Sequence, residues 1–429
     1  MARAFAALGA ASIAQSALGA AVSFSSPITL SIDYPTSVIR AAEITPGQGI
    51  RILGLHTVQL RVSITEVDLA HDDVISTVLW GTGQSPKGMA LADVDADDRT
   101  DILLANTSTG RLAVMKQSAT GTFSLSVTPV VATGPVDVAS ADIDGDGDPD
   151  AALADSAGTR VVVLTNDGTG VFTAVQTIPV PTTPVALTFG DMNGDDIPDL
   201  GVACQLADRA AILLNNGSGS FALAASITTG SRPISICSAD FDANGYDDLA
   251  VANSNSGTIT IIRSNPGPVF EVVNTVGCGV QPTSLVARDV TLDLRPDIIA
   301  ANAGENAVSV LEAHPAFAFT RFAVPTGFRP SCVAVRDMTG DGKADLVLGR
   351  ADAPTIAVLP NTSTGEEIPC PGDANGDLYV NISDFNILAT NFGLQPATPQ
   401  QGDMNHDGRV DIFDFNILCR NYGTSCGES

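Results

Sequence analysis

Six short segments of this chain place carboxylate side chains at one repeated spacing that suits a cation bound by oxygen atoms. The segment from Asp142 to Asp150, DIDGDGDPD, shows the frame best, as D-x-[DNT]-x-[DN]-G-x-x-D. Positions 1, 3, 5 and 9 of this frame carry oxygen side chains around a tight turn, and position 7 can add its backbone carbonyl. Such a shell suits Ca²⁺, which accepts flexible coordination by many oxygens, better than Mg²⁺, which demands octahedral geometry.

Five of the six segments keep this frame well enough to predict calcium ligands at positions 1, 3, 5 and 9. The predicted ligands are Asp93, Asp95, Asp97 and Asp101; Asp142, Asp144, Asp146 and Asp150; Asp191, Asn193, Asp195 and Asp199; Asp240, Asp242, Asn244 and Asp248; and Asp337, Thr339, Asp341 and Asp345. The remaining segment, Asp289 to Asp297, has Thr291 at position 3 and Leu294 where the turn favours Gly, so we expect weak metal binding or none. Each segment is named below after its first residue, for example the Asp142 loop.

The elements that must hold these loops are indicated by the repeat in which the loops occur. Successive loops begin 49, 49, 49, 49 and 48 residues apart, a Pro precedes each by seven residues, and a Phe follows each of the first five by thirty. The Asp142 unit contains short runs rich in Val and Ala (136–141, 151–154, 161–165 and 172–178), split by Gly, Asn and Asp, which are strand and hairpin signals. Four strands form one antiparallel sheet, and such sheets bury both faces when they are arranged radially. The sequence therefore predicts an all-β fold, a β-propeller, with the repeated Phe packed between neighbouring blades.

The number of blades depends on the residues before the first loop and after the last. Residues 50–92 supply a blade-like set without an Asp loop, at Ile50–Leu55, Val58–Ser63, Val74–Leu79 and Met89–Ala92. After the Asp337 loop only Leu346–Leu348 and Thr355–Leu359 remain, so residues 22–44 would have to supply the missing outer strands and close the ring. We expect seven blades, with six as the alternative.

The Asp142 loop and the residues after it carry a resemblance to a known repeat. DIDGDGDPD followed by AALADSAGTRVVVLTNDGTGVF resembles the FG-GAP/VCBS repeat of integrin α-chain propellers and of many secreted bacterial proteins. The resemblance covers residues 50–360 and implies that the calcium loops brace the propeller rather than catalyse a reaction. The chain departs from the family pattern in its first blade, which lacks the loop, and in the degenerate Asp289 loop.

A duplicated pattern near the C-terminus indicates a second, smaller module. GDANGDLYVNISDFNILATNFG starts at Gly372, and GDMNHDGRVDIFDFNILCRNYG starts thirty residues later at Gly402. Each copy begins as an EF-hand-like loop with oxygen side chains at positions 1, 3, 5, 9 and 12, although position 12 is Asp where EF-hands prefer Glu. The predicted ligands are Asp373, Asn375, Asp377, Asn381 and Asp384 in the first copy, and Asp403, Asn405, Asp407, Asp411 and Asp414 in the second. Each loop then opens a helix with apolar residues at helical spacing, Phe385 and Leu388 or Phe415 and Leu418.

This double loop resembles a type I dockerin, a calcium-folded module that docks on cohesin domains. The resemblance covers residues 370–426 and implies a cohesin-like protein partner. Positions 10 and 11 of each loop, which recognise the partner in dockerins, are Ile382-Ser383 and Ile412-Phe413 and lack the hydroxyl-rich pair of cellulosomal dockerins. A cellulosome-type cohesin therefore fits poorly, and another protein or a neighbouring domain is the alternative. Cys370 and Cys426 bracket the module, and both a disulfide between them and two free thiols fit the sequence.

Composition narrows the classes of partner and metal. The 429-residue chain has 21 basic and 48 acidic residues, 40 of the latter Asp, for a net charge of −27. Nucleic acid is a poor partner, because phosphate binding needs clustered Lys and Arg. The seven Cys form no CxxC pair and only four His are present, so no zinc site is predicted. No strongly apolar run is long enough to predict a transmembrane segment.

These patterns divide the chain into four parts. Residues 1–21 resemble a secretory signal peptide, with Arg3 before a mildly apolar stretch of small residues. We expect the propeller over residues 22–360, a linker over 361–369 and the dockerin-like module over 370–429.

No catalytic signature occurs outside these modules. The sequence has no GxSxG elbow, HExxH pair or Walker loop, and its paired carboxylates belong to loops where a metal explains them. We therefore expect a secreted, monomeric, calcium-binding propeller that binds a protein or glycan in adhesion or assembly at the cell surface, and no enzymatic activity. The alternatives are a propeller lectin, although Trp80 and four Tyr offer few stacking platforms, and a polysaccharide-active lyase or glycosidase.

We predict that the isolated segment 370–426 folds only with calcium. Its core is too small to offset the chain entropy, and its two loops concentrate carboxylates that repel one another, so metal binding becomes folding free energy. Far-UV circular dichroism under reducing conditions should show helix appearing as Ca²⁺ is titrated. A helical spectrum that is complete in chelator and unchanged by the metal would reject this prediction.

Overall fold

The computed structural model describes residues 22–44, 49–69, 71, 73–82, 84–267, 269–293, 295–350, 352–363, 382–395, 401–402, 409–410, 415 and 418. Seven four-stranded antiparallel sheets account for the strands in this part of the chain. The predicted signal peptide, most of the predicted linker and Leu294 lie outside the described residues.

Each sheet is one blade, and β1 (Ile28–Ser31), the first strand of the chain, belongs to the last of them. Blade 1 contains β2 (Val38–Glu43), β3 (Ile50–His56), β4 (Arg61–Asp68) and β5 (Asp73–Gly81). Blade 2 contains β6 (Pro86–Ala92), β7 (Asp101–Asn106), β8 (Arg111–Gln117) and β9 (Phe123–Val127). Blade 3 contains β10 (Pro135–Ala141), β11 (Asp150–Asp155), β12 (Arg160–Asn166) and β13 (Phe172–Pro179). Blade 4 contains β14 (Pro184–Gly190), β15 (Asp199–Cys204), β16 (Arg209–Asn215) and β17 (Phe221–Thr228).

The remaining blades repeat this order. Blade 5 contains β18 (Pro233–Ala239), β19 (Asp248–Asn253), β20 (Thr258–Asn265) and β21 (Val269–Gly277). Blade 6 contains β22 (Pro282–Arg288), β23 (Asp297–Asn302), β24 (Ala307–His314) and β25 (Ala318–Pro325). Blade 7 contains β26 (Pro330–Arg336), β27 (Asp345–Arg350), β28 (Thr355–Leu359) and β1. Two 3₁₀ turns occur within blades. Gln205–Ala207 joins β15 to β16 in blade 4, and Pro315–Phe317 joins β24 to β25 in blade 6.

The first strand of each blade packs against the first strands of its two neighbours, and β2 contacts both β6 and β26. The ring is therefore closed, and the prediction of a seven-bladed propeller is confirmed. The N-terminal segment closes it: β1 pairs antiparallel with β28, with Leu30 opposite Ile356. The backbone N–H of Ser25 also bonds to the carbonyl of Pro360 at 2.9 Å. The packing extends to residues 361–363, the first three of the predicted linker, where Asn361 and Ser363 are buried.

The predicted composition of the first blade was partly wrong. Met89–Ala92 lies in β6, the first strand of blade 2, and the first strand of blade 1 is β2. The reason is that the strand before each Asp loop belongs to the same sheet as the strand after it. The third strand of blade 1 also begins later than predicted, because residues 57–60 form a turn in which Val58 is 83% exposed.

The hydrophobic core is divided into seven clusters, one in each interface between neighbouring blades. The second strands lie against neighbours on both faces; all six residues of β11, Asp-Ala-Ala-Leu-Ala-Asp, are buried. Small Ala side chains allow the sheets to approach closely there. The repeated Phe packs between blades as predicted: Phe172 of blade 3 joins Val94 of blade 2 in one cluster, and Phe123 stands edge-on to Trp80 of blade 1.

The first strands surround a central channel with a volume of about 420 Å³. Three charged residues border it, Arg40, Lys87 and Asp137. An oxygen of Asp137 accepts the N–H of Leu187 from the next blade at 3.0 Å. Burial raises the pKa of Asp137 to about 6, against the opposing effects of this hydrogen bond and of Arg40.

The described part of the C-terminal module contains one helix, α1 (Ile382–Asn391). The Phe385 ring stands edge-on to Phe415, with 6.1 Å between centroids. Leu388, Val410 and Leu418 are buried together. The apolar residues predicted from the two copies therefore pack against each other as a small core.

We predict that Leu30→Ala lowers the free energy of unfolding by about 2–5 kcal/mol, because it leaves a cavity in the blade that the N-terminal strand completes. The control is Ile75→Ala in β5, where the side chain is 60% exposed and the expected change is within about 0.5 kcal/mol. Chemical denaturation of both variants measures the difference. Equal effects would contradict closure of the ring by β1.

Candidate metal centres

The Asp loops join the first and second strands of blades 2 to 7. Positions 4 and 6 of these loops take left-handed backbone, for example at Gly145 (φ 78°) and Gly147 (φ 93°). Gly adopts this conformation without steric cost, which explains the Gly at position 6 of the frame. Position 4 has the same requirement, and Leu292 of the Asp289 loop meets it at φ 66° with a branched side chain.

The carboxylate at position 1 organises the turn by accepting backbone N–H groups. One oxygen of Asp142 accepts the N–H of Gly145 at 2.8 Å, and the other accepts that of Gly147 at 3.0 Å. The Asp191 and Asp337 loops repeat both bonds. At position 5, Asp146 accepts the N–H of the position 7 residue at 3.0 Å.

The carboxylate at position 9 begins the second strand and is fully buried in all six units. In the Asp142 loop, one oxygen of Asp150 accepts the N–H of Ile143 at 3.1 Å, and the other accepts that of Asn166, at the end of the third strand, at 2.7 Å. The other five loops make the same two bonds. Position 9 is therefore a structural link inside the blade as well as a predicted ligand.

Burial acts on these position 9 carboxylates despite their hydrogen bonds. Desolvation raises the pKa of Asp101, Asp150 and Asp199 to about 6, that of Asp297 to about 7 and that of Asp248 to about 8. The neighbouring loop carboxylates raise the pKa further. A nearby positive charge would favour the ionised form.

The side chain at position 3 differs from the others, because one of its oxygens has no partner. Asp95, Asp144 and Asp242 each bury an Oδ1 atom that accepts no hydrogen bond. An unpartnered buried carboxylate oxygen is costly. In three loops it lies among further carboxylates, with oxygens within 4.8 Å of one another: Asp93, Asp95 and Asp101; Asp142, Asp144 and Asp146; and Asp240, Asp242 and Asp248.

These three clusters fit a hard cation such as Ca²⁺ on their own chemistry. They combine carboxylate oxygens, several of them buried, with an acceptor that nothing in the protein satisfies. Asp97 and Asp150 are predicted ligands that lie outside the clusters of their loops. Among the described residues, the Asp191, Asp289 and Asp337 loops do not bring three carboxylates within the same distance. In the Asp191 loop, Asn193 instead accepts the N–H of Asp195 at 3.0 Å.

The predicted ligands of the C-terminal module fall mainly outside the described residues. These are Asp373, Asn375, Asp377, Asn381, Asp403, Asn405, Asp407, Asp411 and Asp414, together with Cys370 and Cys426. Asp384 lies in the first turn of α1.

Buried Asn side chains also shape the loops, and the sequence prediction did not include them. The amide nitrogen of Asn215 donates to the carbonyl of Ile143 in the preceding blade at 2.8 Å and to that of Pro198 in its own loop at 3.2 Å. Asn166 and Asn361 make equivalent bonds. Their 49-residue register with the Asp loops was the signal that could have identified them.

The geometry defines a class: a seven-bladed propeller in which six blades carry an acidic turn, followed by a small module that contains helix α1. Models of the FG-GAP-like repeat match residues 93–153, 142–202 and 289–348, and an FG-GAP repeat model matches 233–266. The type I dockerin domain model matches residues 371–421. The chain is therefore an FG-GAP-repeat propeller with a C-terminal type I dockerin domain. No curated protein sequence matches it.

Solved structures share the propeller fold. BBS1N in complex with ARL6DN is 12% identical, with coverage of 80% of this chain and 98% of that one and a TM-score of 0.58. A catalytically inactive virginiamycin B lyase from Staphylococcus aureus is 13% identical, with coverage of 79% and 99% and a TM-score of 0.53. A protein from Lactobacillus plantarum is 14% identical, with coverage of 70% and 87% and a TM-score of 0.54. At these identities the likeness concerns the fold alone.

We predict that Asp144→Ala lowers the calcium bound by the full chain by about one ion, because it removes a charged ligand, with its unpartnered Oδ1 atom, from the most complete loop. Asp293→Ala in the Asp289 loop is the matched control and should leave the bound calcium unchanged. Equilibrium dialysis followed by metal analysis measures both. The same loss at both sites would contradict this ranking of the loops.

Proposed function

We propose that this chain is a secreted, calcium-binding docking protein. In this proposal the propeller presents a binding surface, and the dockerin domain attaches it to a protein partner. The observation that carries the proposal is the combination, in one chain, of a dockerin domain with a closed propeller and metal-compatible acidic loops. Dockerin domains bind cohesins, which is consistent with a protein partner.

An extracellular location is part of this proposal. Dockerin and FG-GAP domains are typical of extracellular proteins, and residues 1–21 resemble a signal peptide. In the described part of the chain, no helix has the length and apolar character needed to span a membrane.

Calcium has a bracing role in this proposal. Each ion bound only by the folded state adds about 2.7 kcal/mol of stability at roughly a hundredfold excess over its Kd. The loops that would hold it link the first three strands of a blade and contact the next blade through Asn215 and its equivalents. Bound calcium would therefore stiffen the ring as a whole.

We also propose that the propeller is not an enzyme. Each group of three acidic, His or Cys side chains found among the described residues lies in an Asp loop. The residues bordering the channel include a single carboxylate, Asp137, whereas most glycosidases use a pair. Trp80 packs against Phe123 and so offers little free face for stacking on a sugar.

Binding of the full chain to a panel of purified cohesin domains tests the proposal. We expect at least one cohesin to bind in excess CaCl₂ and to dissociate in excess chelator, because the dockerin domain depends on its metal for folding. The paired variant Asp403→Ala, Asp407→Ala should lose this binding, and Asp144→Ala in the propeller should keep it. Binding that persists in chelator, or no binding to any cohesin, contradicts cohesin docking. A glycan-array signal or polysaccharide cleavage products would favour the lectin or enzyme alternative.

A further inference from the structure

Two of the Asp loops carry a basic side chain on their position 3 carboxylate. Nζ of Lys116 lies 3.3 Å from Oδ2 of Asp95, and Nη2 of Arg263 lies 2.9 Å from Oδ2 of Asp242. The carboxylate side chains are 22% and 10% exposed and the basic side chains 31% and 36%, so both pairs are partly shielded from water. Shielding makes such a charge pair stronger than one on the open surface.

The two basic residues occupy one position of the repeat. Each lies in the third strand, directly before the residue whose N–H bonds to the position 9 carboxylate: Gln117 after Lys116, and Ser264 after Arg263. The same hydrogen bond identifies the equivalent residues of the other four units. They are Thr165, Leu214, Glu312 and Pro360, and none is basic.

Both basic side chains also reach the next blade. Nζ of Lys116 donates to the carbonyl of Thr169 in blade 3 at 2.8 Å. The guanidinium carbon of Arg263 lies 5.8 Å from the ring centroid of Phe317 in blade 6, a cation–π distance. In each case the contact is with the segment between the third and fourth strands of the neighbouring blade. Each side chain therefore joins an acidic loop to the adjacent blade.

We propose that Lys116 and Arg263 are built-in cations that neutralise the Asp93 and Asp240 loops, hold them to the next blade without metal and weaken calcium binding there. In the Asp93 loop, Arg99 adds a second positive charge on Asp97. A Ca²⁺ ion in either loop would share its position 3 ligand with a fixed cation and be repelled by it. In the Asp142 loop the position equivalent to Lys116 and Arg263 is Thr165, which has no charge. Oδ1 of Asp144 has no partner there and could bind the metal. This inference rests on the proposed calcium binding and divides the loops into two classes.

The test exchanges the charge in both directions in the full chain. Lys116→Met and Arg263→Met remove the cation and keep an aliphatic side chain, and Thr165→Lys introduces a cation beside Asp144, with Thr165→Met as its matched control. Bound calcium at limiting Ca²⁺ is measured by equilibrium dialysis, and the melting temperature is measured in calcium and in chelator.

We expect Lys116→Met and Arg263→Met each to raise bound calcium by about one ion per chain. Each variant should also melt at a lower temperature than the wild type in chelator, because the link to the next blade is lost. In calcium, the melting temperature of each variant should return to that of the wild type. Thr165→Lys should lower bound calcium by about one ion, and Thr165→Met should not.

The possible failures are distinguishable. If Asp144→Ala lowers bound calcium while Lys116→Met, Arg263→Met and Thr165→Lys leave it unchanged, the built-in cations are overturned and calcium binding stands. If Lys116→Met and Arg263→Met melt like the wild type in chelator, the link between blades is overturned. If Asp144→Ala also changes nothing, calcium binding by the propeller fails, and the inference fails with it.

Discussion

Six of the seven blades depend on one buried carboxylate, the Asp at position 9 of the loop. Its two oxygens accept N–H groups from the start of the loop and from the end of the third strand, at 2.7–3.2 Å in all six copies. Without this acceptor two buried donors would be unsatisfied, at a cost of about 1–3 kcal/mol each. The interaction therefore sets the shape of the loop and ties the first three strands of the blade together.

The same arrangement concentrates negative charge where little water reaches it. Burying negative charge costs free energy, and the loops reduce this cost in different ways. Backbone N–H groups bind the carboxylates at positions 1, 5 and 9, as in the Asp142 loop. At position 3, Oδ1 of Asp95, Asp144 and Asp242 has no hydrogen-bond partner, and these carboxylates are the ones that a basic side chain or a bound cation would neutralise. Loops that share one sequence frame therefore differ in whether a basic side chain or a cation from solution would neutralise position 3.

The links between blades hold this acidic ring together. A propeller blade cannot bury both faces alone, and here each of the seven interfaces has its own apolar cluster. The buried Asn side chains and the basic residues join the loops across these interfaces. In the proposed function, this ring is the platform for binding, and the dockerin domain is a separate means of attachment.

Sequence and structure contributed to different parts of this picture. The 49-residue register of Asp, Pro and Phe predicted the propeller, its loops and the interblade position of the Phe, because strands, turns and burial repeat with the local pattern. The sequence predicted that the N-terminal segment completes the last blade. The predicted division of the first blade was partly wrong, because the local sequence of a strand between two blades does not show with which of the two sheets it pairs.

The sequence by itself therefore determined the fold class and the candidate ligands, and the structure decided for seven blades over six. Only the tertiary structure decided which carboxylates meet and which carry a basic partner. Asp144 and Asp242 occupy the same place in the frame, yet only Asp242 faces an Arg, which comes from a strand 21 residues further along the chain. The physical reason is that strand register in the folded sheet decides which residue of the third strand lies beside position 3; that residue is Arg263 in the Asp240 unit and Thr165 in the Asp142 unit.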